Sequence, residues 1–420
     1  MAANHDRVDA HNLFFQVSDY QYTILDMLNA DCWREILGYV PVEEIIRSER
    51  VSRRWRDRMI EYMQGVNLSV EYLRPCIINI LSWDRHPNSR HLTLDREDQP
   101  GKSWFEAMLT KLGGNIVFIG TDRIVDFDIA IITWHCPNLE ILLLCSIEYY
   151  LPLDQLKCCK RLKRISLHTC TIPDEYICQL LCVVPIEELV INNASYVSGM
   201  FLSEPKNTKL KTLTISACYL LMTDFFRTAV DLEELTKLEL TLNSVEVYRN
   251  VHFLLRNTPN LEYLKLVSFD KKINVGSEFS DALSNLSKLK HFYGRYINNS
   301  HEGWLEDVAV GCKELKTLDV GNCAGVTASS VITLCRSAGP NLTELGVAWN
   351  TELTDSDLAA CLKYCPNLEV LDVQGCVQVS AALVGSAAPR ARPLRLRLRR
   401  TKVPYDMRSK CPWVDLDFEY

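Results

Sequence analysis

Residues 315–323 read Leu-Lys-Thr-Leu-Asp-Val-Gly-Asn-Cys, and residues 368–376 repeat the pattern as Leu-Glu-Val-Leu-Asp-Val-Gln-Gly-Cys. Further copies, with Cys or Asn at the last position, begin at Leu162, Leu210, Leu235 and Leu342. The alternation of apolar residues in each copy predicts a short strand with one buried face and one solvent-facing face. Recurrence at a regular spacing predicts a chain built from stacked copies of one structural unit.

The pattern recurs along most of the chain. When the middle apolar residue of each unit is taken as its marker, neighbouring markers lie 23 to 28 residues apart. This spacing is within the roughly 20 to 29 residues of a leucine-rich repeat. The markers are Leu68, Leu92, Ile116, Leu142, Ile165, Leu189, Leu213, Leu238, Leu264, Phe292, Leu318, Leu345, Leu371 and Leu396. The units around the first three markers and the last one are degenerate.

Each unit also carries a helix signal after its strand. In residues 353–368, Thr354 is suited to cap a helix whose first turn holds Asp355 and Asp357, and Pro366 ends that helix. A unit is therefore predicted to be one strand followed by one helix. Because no unit covers its own apolar side, neighbours are expected to stack, and each buried Leu or Ile contributes about 1.5 to 3 kcal/mol. The predicted fold class is α/β, with the repeats forming a solenoid.

The segment before the first marker has a different pattern. The first predicted helix has an apolar stripe of Cys32, Trp33, Ile36, Leu37 and Val40. Pro41, followed by two glutamates, predicts the start of a second helix. The third has a stripe of Val51, Trp55 and Met59. Three helices in about 40 residues have too little interior for these large apolar side chains, which indicates a docked partner.

This segment resembles the F-box, a motif that binds a Skp-type adaptor protein. The matching residues are Leu28, Asp31, Ile36, Leu37, Tyr39, Val40, Pro41, Ile45, Val51 and Trp55. The sequence Val-Ser-Arg-Arg-Trp at 51–55 is the most specific element, and Asn29 is a departure, because the family usually has proline there. The resemblance implies an adaptor-binding set of Leu28, Asp31, Trp33, Ile36, Leu37, Val40, Pro41, Ile45, Val51 and Trp55.

The cysteine-containing units in turn resemble the leucine-rich repeats common in F-box proteins, which implies a horseshoe with parallel strands on its concave face and helices outside. The predicted organisation is an N-terminal extension at 1–23, the F-box at 24–62, degenerate repeats at 63–136, repeats at 137–400 and a C-terminal cap at 401–420. An F-box followed by such repeats implies a non-catalytic substrate-recognition subunit of an SCF-type ubiquitin ligase, bound through the Skp-type adaptor to a cullin. The alternative is a repeat scaffold that acts independently of ubiquitination.

The repeat register also predicts which side chains line the exposed face of the sheet. The predicted substrate-binding surface, in the central and late units, consists of Tyr263, Lys265, His291, Tyr293, Arg295, Tyr296, Asp319, Trp349 and Asp372. Because Tyr, Trp and Arg often dominate interface energy, the expected anchors are Tyr263, Tyr293, Arg295, Tyr296 and Trp349. The alternative is that these are ordinary solvated strand positions.

Two cysteine patterns favour structural roles. Cys178 with Cys182, and Cys361 with Cys365, have the spacing of one helix face, but neither pair has a partner pair at zinc-site spacing. His168 and Cys170 belong to one repeat, and nothing indicates the third group that would orient a thiol nucleophile. We therefore expect no metal, no cofactor and no enzyme site.

The arginine-rich tract at 389–400 has two interpretations. Its alternation favours a strand that buries Leu394, Leu396 and Leu398 and leaves its arginines in solvent, with Trp413, Val414, Leu416 and Phe418 covering the end of the array. The other interpretation is a nuclear-localisation or acid-binding patch.

Composition narrows the class of partner. A net charge of -7 and a sequence pI of about 5.8 argue against general nucleic-acid binding, which needs excess cations. The N-terminus lacks the apolar core of a signal peptide, and no apolar stretch approaches the roughly 20 residues that cross a bilayer. Without an export signal, the 17 cysteines are expected to stay reduced. These features predict a cytoplasmic or nuclear protein that binds proteins rather than nucleic acid or membrane.

Overall fold

The structure is a computed structural model that describes residues 27–73, 88–95, 102–122, 126–147, 151–203, 209–221, 224–229, 232–242, 246–268, 272–301, 303–387, 393–411 and 414–418. The predicted extension at 1–23, the segment 389–392 and Trp413 lie outside these residues. Within the described part of the chain, no helix is both long enough and apolar enough to cross a membrane.

Three short helices form the N-terminal module, namely α1 (Ala30–Gly38), α2 (Val42–Ser48) and α3 (Arg53–Met63). The side chain of Asn29 caps α1 by accepting from the backbone N–H of Cys32 at 2.8 Å, so asparagine supplies an N-cap at the position where the F-box family usually has proline. Trp33 and Trp55 meet edge to face with ring centroids 5.5 Å apart, and Trp55 Nε1 donates to Ser48 Oγ at 2.9 Å. These contacts hold the three helices together around the two indoles.

One parallel sheet runs through the rest of the described chain. Its strands are β1 (Leu68–Leu73), β2 (Arg90–Asp95), β3 (Ile116–Asp122), β4 (Ile141–Cys145), β5 (Arg164–His168), β6 (Glu188–Asn192), β7 (Thr212–Ser216), β8 (Lys237–Leu242), β9 (Tyr263–Ser268), β11 (His291–Gly294), β13 (Thr317–Asp319), β14 (Glu344–Gly346), β15 (Val370–Asp372), β16 (Leu394–Arg397) and β17 (Val414–Asp417). The separate pair β10 (Ile273–Val275) and β12 (Ile297–Asn299) is also parallel. The predicted solenoid of stacked strand units is confirmed.

The pairing register matches the repeat pattern from the fourth marker onward. Leu142 pairs with Ile165, Ile165 with Leu189, and so on through Leu371 with Leu396. All these markers are buried on the helix side of the sheet. The alternation therefore places the marker side chains on one face of the sheet. The residues immediately before and after each marker point to the opposite face, which we call the open face.

The first two strands depart from sequential stacking. β2 is the edge strand, and β1 lies between β2 and β3. The register also shifts between Leu68 and Ser69, so that Ile119 rather than the predicted marker Ile116 aligns with Leu142. The regular period fails here because β1 carries an irregularity and pairs with two strands that both follow it in sequence.

The helices cover the other side of the sheet. They are α4 (Lys102–Leu112), α5 (Asp126–His135), α6 (Asp174–Val183), α7 (Phe225–Thr228), α8 (Val251–Arg256), α9 (Ser277–Ser284), α10 (Trp304–Gly311), α11 (Ala328–Ala338), α12 (Asp355–Tyr364), α13 (Ala381–Ser386) and α14 (Met407–Lys410). Among the described residues, four units contain a short 3₁₀ helix, either beside an α-helix or in place of one. These 3₁₀ helices are Gly113–Asn115, Leu153–Cys158, Met200–Leu202 and Glu246–Asn250.

Recurring polar positions of the unit form hydrogen bonds to backbone carbonyls of the preceding unit. The thiols of Cys170, Cys323 and Cys376 donate to carbonyls one unit upstream, those of Leu144, Gly294 and Val347. An asparagine shortly before four of the strands acts similarly: the side-chain amides of Asn138, Asn260, Asn341 and Asn367 donate to Gly114 O, Glu233 O, Lys313 O and Pro340 O. These bonds give the Cys and Asn positions of the repeat a structural purpose.

The arginine-rich tract forms the penultimate strand. Leu394 and Leu396 of β16 are buried while Arg395 is exposed and pairs with Asp415 of β17 at 2.6 Å. Leu416 and Phe418 are buried, and the ring of Phe418 stacks on Tyr405 at 4.4 Å. The described part of this tract is therefore a strand paired on both sides, with β17 as the edge that covers the end of the array. Arg397 is half-buried on the sheet rather than in solvent as predicted.

Candidate protein-binding surfaces

The N-terminal helices expose an unusual amount of apolar surface. Its members are Met27, Ile36, Tyr39, Val51 and Ile60, of which Tyr39 is 87% and Val51 73% exposed. All five lie within about 35 residues, on a module whose own interior is already filled by two tryptophans. A surface of this kind marks a protein-binding site. We call these five residues the helical-module surface.

The residues predicted to bind the adaptor divide into two groups. Trp33, Leu37 and Ile45 are buried inside the chain, and Leu28, Val40 and Trp55 are partly buried against the core. Ile36, Val51, Asp31 and Pro41 are exposed, and Asp31 pairs with Arg34 at 3.3 Å. The buried residues therefore support the surface that the exposed ones form. Their predicted contact with an adaptor stays a prediction.

Three members of the helical-module surface were missed by the sequence analysis as binding residues. Met27 precedes the first helix, and Tyr39 follows it as its C-cap residue. Ile60 comes directly after buried Met59, out of phase with the stripe that begins at Val51. An apolar residue on the polar side of an amphipathic helix was the signal that identifies Ile60.

The open face of the sheet is not accessible along its whole length. At its N-terminal end, Phe118, Leu143, Cys145 and Ser166 point to the open face yet are at most 3% exposed. From β6 onward, most of the corresponding residues, such as Val190, Glu239 and Tyr293, are only partly buried, whereas Thr317 and Asp372 are buried. A partner therefore has access mainly to the central and late strands.

His168 lies at the border of this covered region, and we expect it to make the free energy of unfolding depend on pH. Burial, together with Arg164, lowers the pKa of His168 to about 4. The unfolded chain therefore binds the proton near its ordinary pKa of about 6.5, and the free energy of unfolding falls as the pH drops below that value. Between about pH 7.5 and about pH 5 we expect protonation of this residue in the unfolded chain to lower the free energy of unfolding by about 2 kcal/mol. The measurement is urea unfolding at both pH values, compared with His168→Gln, whose loss should be smaller by that amount; equal losses would contradict the assignment.

An aromatic cluster occupies the centre of the accessible face. The rings of Tyr263 and Tyr293, on adjacent strands, have centroids 5.4 Å apart, and the ring of His291 lies 6.0 Å from that of Tyr263. His291 Nδ1 lies 3.0 Å from Thr317 Oγ1. Burial, with Lys316 and Lys290, lowers the pKa of His291, and burial raises the pKa of both tyrosines. Near neutral pH the cluster is therefore an uncharged set of aromatic rings with polar edges.

Lysines border this aromatic cluster on one side. The Lys237 ammonium lies 4.9 Å from the centre of the Tyr263 ring and 2.9 Å from Glu239, which also pairs with Lys265 at 3.6 Å. An ammonium at this distance is attracted by the face of the ring. Lys265 was predicted for this surface, whereas Lys237 and Glu239 were not, because their positions on β8 lie one strand before the region chosen.

On the other side, a network of arginines and carboxylates crosses the sheet. Arg295 Nε donates to Asp319 Oδ2 at 2.6 Å, and its Nη2 donates to Asp372 Oδ2 at 3.1 Å. Arg397 Nη1 donates to Glu344 Oε1 at 3.4 Å and lies 3.9 Å from the same Asp372 oxygen. We call these five residues the arginine network, and it connects the end of β11 to β16.

The two carboxylates that bind Arg295 in the arginine network are largely buried. The side chain of Asp372 is 4% exposed and that of Asp319 is 13% exposed. Burial opposes the charge of Arg295, but Asp319 and Asp372 outweigh it and raise its pKa. Gly346 provides the space, because a Cβ there would lie 2.8 Å from Asp319 Oδ1. Arg295, Asp319 and Asp372 were predicted as binding residues, but the structure engages them with one another.

Tyr296 and Trp349 lie on the rim just beyond the strands. Both have a left-handed backbone, with φ of 64° and 62°. The Trp349 ring lies over Gly375, where a Cβ would come within 2.4 Å of it, and the Arg400 guanidinium is 5.3 Å from the ring centre. Tyr296 and Trp349 remain 38% and 40% exposed. The predicted substrate residues therefore occupy three adjoining zones, and their binding role stays a prediction.

Two cysteines at the last position of the repeat lie in environments that disfavour the thiolate. Burial raises the pKa of Cys376 and of Cys218 to about 11, so their thiols are protonated at neutral pH and act as weak donors. Cys361 and Cys365 are buried, whereas Cys178 of α6 is partly buried and Cys182 of the same helix is exposed. Across the described residues, no group of three or more His, Cys, Asp or Glu side chains is arranged to hold a metal ion.

Comparison with known proteins identifies the N-terminal module. The F-box domain family model matches residues 25–59, which fall within the segment 24–62. No curated protein matches the sequence significantly.

The repeats resemble several solved structures at low identity. An internalin from Listeria monocytogenes aligns with a TM-score of 0.49 and 15% identity over 74% of this chain and 82% of that one. A leucine-rich-repeat protein of Leptospira interrogans gives 0.41 and 16%, over 74% and 98%. A chain of the yeast Rad7 and Elc1 complex gives 0.39 and 15%, over 65% and 74%. At these TM-scores, the repeat fold rests on the strand order and pairing described above.

Proposed function

We propose that this F-box and leucine-rich-repeat protein is the substrate-recognition subunit of an SCF-type ubiquitin ligase. A protein-interaction role follows from the F-box and the repeat fold together. In the proposed role, the F-box binds a Skp-type adaptor and, through it, a cullin, while the open face of the repeats binds the substrate. The observation that carries the proposal is the helical-module surface, which presents five large apolar side chains on the F-box itself.

In this role the chain works by positioning. Holding a substrate lysine near a ubiquitin-conjugating enzyme raises its effective concentration, which requires no nucleophile in the receptor. The protonated, buried thiols are compatible with that role. The aromatic cluster of Tyr263, His291 and Tyr293 is the part of the open face best suited to contact a substrate, because its rings are accessible and are not engaged in the arginine network.

Val51→Asp is expected to weaken adaptor binding at least about tenfold, which corresponds to about 1.4 kcal/mol. Val51 is 73% exposed on the F-box, so the change places a charge on the apolar surface without disturbing the interior. The measurement is titration calorimetry with a purified Skp-type adaptor, followed by co-purification with a cullin.

Val310→Asp is the matched control, because Val310 is 69% exposed on α10 in the repeats. It should bind the adaptor like the unchanged chain. Trp55→Ala is unsuitable for this purpose, since Trp55 packs on Trp33 and bonds Ser48, so its loss would disturb the F-box fold. If the unchanged chain does not bind the adaptor, or if both aspartate variants bind equally well, the ligase proposal is wrong.

A scaffold that acts without ubiquitination is the second candidate, and one observation favours it. The F-box packs on the edge strand of the sheet, where Glu43 Oε1 accepts from the backbone N–H of Thr93 at 3.2 Å. An F-box can therefore be retained as the terminal cap of a repeat array, independently of any adaptor. Normal repeat-partner capture by Val51→Asp together with an absent adaptor complex in the unchanged chain would support the scaffold.

A further inference from the structure

The contact between the F-box and the repeats centres on Arg90, the first residue of edge strand β2. Its guanidinium donates to Leu37 O at 2.9 Å, to Val40 O and to the hydroxyl of Tyr62. Its Cζ also lies 5.7 Å from the centre of the Tyr62 ring. The two carbonyls belong to the C-terminal end of α1, where a cation is favourable, and Tyr62 belongs to α3. One side chain therefore joins two F-box helices to the sheet.

Other bonds between the F-box and the repeats lie around this contact. The edge-strand N–H of Thr93 is bound by Glu43 at the start of α2. Lys111 of α4 pairs with Glu49, and the amide of Asn115 donates to Met63 O and Val66 O. Each of the three F-box helices, or the turn after it, is thus tied to the repeats by at least one side chain.

The apolar interior is also continuous across this boundary. Leu37, Ile45 and Met63 of the F-box belong to the same buried cluster as Leu68 and Leu92 of the first strands. Domains joined by a mobile linker have few such shared contacts. Apolar contacts are weakly directional, however, so they hold the two parts together without fixing their angle.

We infer that Arg90 is a positioning residue that fixes the orientation of the F-box relative to the open face of the repeats. The geometry of its bonds supplies the direction that apolar packing lacks, because a planar guanidinium with several donors engages α1 and α3 at once. This inference deepens the proposed function: with an adaptor bound, the same orientation determines where a substrate on the open face lies relative to the ubiquitin-conjugating enzyme.

The test uses the full chain without any partner. Spin labels on noncanonical residues at Glu35, exposed on α1, and at Tyr219, 64% exposed in the repeats, report one distance across the boundary by pulsed electron resonance. The unchanged chain should give a single narrow distribution. Arg90→Met keeps the aliphatic stem and should broaden that distribution about twofold or more. The reason is that the F-box can then adopt a range of angles relative to the repeats. A distribution as narrow as that of the unchanged chain would overturn the inference.

Arg58→Met is the matched control, since Arg58 is an F-box arginine that pairs within its own helix, with Glu61 at 2.9 Å. It should leave the distribution narrow; equal broadening by both variants would overturn the assignment to Arg90. If Arg90→Met reduces the helical circular dichroism, the test passes to Arg90→Lys and Asn115→Ala. The widths of their distance distributions are then compared with that of the unchanged chain in the same way.

A second readout separates this inference from the proposed function. Arg90→Met should keep the adaptor affinity of the unchanged chain, while Val51→Asp loses it. A loss of affinity in Arg90→Met as large as that in Val51→Asp would mean that Arg90 acts within the adaptor surface, which overturns a positioning role. If no form of the chain binds an adaptor, the proposed function fails, and the spin-label widths still decide the inference.

Discussion

Replacement of Arg295 by methionine is expected to lower the free energy of unfolding by about 3 kcal/mol. The change keeps the aliphatic stem but leaves Asp319 without its arginine and Asp372 with only Arg397 at 3.9 Å. Removing one partner of a buried pair costs roughly 3 to 5 kcal/mol, and the lower end applies because 36% of the Arg295 side chain is exposed to solvent screening. Urea unfolding at neutral pH measures the loss.

The pH dependence of that loss identifies its cause. Burial already raises the pKa of Asp319 in the intact network, and without Arg295 it rises further. A buried carboxyl with a raised pKa destabilises the fold above that pKa, so the penalty is relieved as the pH falls through it. The gap between Arg295→Met and the unchanged chain should therefore narrow in acid. A gap that stays constant with pH would contradict the network explanation.

Lys265→Met is the control for this change. Lys265 is 38% exposed, and its partner Glu239 keeps Lys237 at 2.9 Å. Its loss should cost less than about 1 kcal/mol, as for a surface pair. Because the loss of Arg295 is expected to destabilise the fold, a change at Arg295 is unsuitable as a test of substrate binding. Tyr293→Ala and Tyr263→Ala instead change the accessible rings without breaking the arginine network.

Gly311→Ala is expected to destabilise the repeats by about 3 kcal/mol. Gly311 ends α10, and a Cβ there would lie 1.8 Å from Ser284 O and 2.5 Å from Ser284 C, both backbone atoms at the end of α9. Backbone cannot rotate away as a side chain can, so the two helices must separate. The strands beneath them carry Tyr293 and Asp319, so the separation should also perturb the open face.

Gly385→Ala is the matched control, because Gly385 lies within α13 and a Cβ there meets nothing within 4 Å. An alanine in an uncrowded helix position should be neutral or stabilising by up to about 1 kcal/mol. The measurement is the urea midpoint of both variants. Equal midpoints would show that the two helices accommodate a methyl group, and would contradict the close-packing argument.

The repeat fold could be predicted because its signal is local and repeated. The marker leucines from Leu142 to Leu396 pair one with the next, since each unit has the same alternation and similar length. The prediction that Ile116 is the marker of its unit is wrong, because β1 and β3 pair with an irregularity that the sequence of a single unit does not reveal. The position of β1 between β2 and β3 likewise depends on pairing between units, which the pattern within a single unit does not specify.

The candidate surfaces could be predicted only in part. Register placed Tyr263, His291 and Tyr293 on one face, and they do meet there. The same reasoning treated Arg295 as an accessible anchor, but its environment depends on Gly346 and Asp372, which lie on strands further along the sheet. The covered N-terminal part of the open face is a property of the whole fold and has no signature in any one repeat.

The interleaved start of the sheet has a consequence for synthesis on the ribosome. β1 is flanked by β2 and β3, so its two neighbours are translated after it. The F-box helices are translated before Arg90 and Asn115, which anchor them in the folded chain. The F-box therefore cannot dock until these later segments have been translated, and its buried side chains Leu37, Ile45 and Met63 lack their partners in the first strands during that interval.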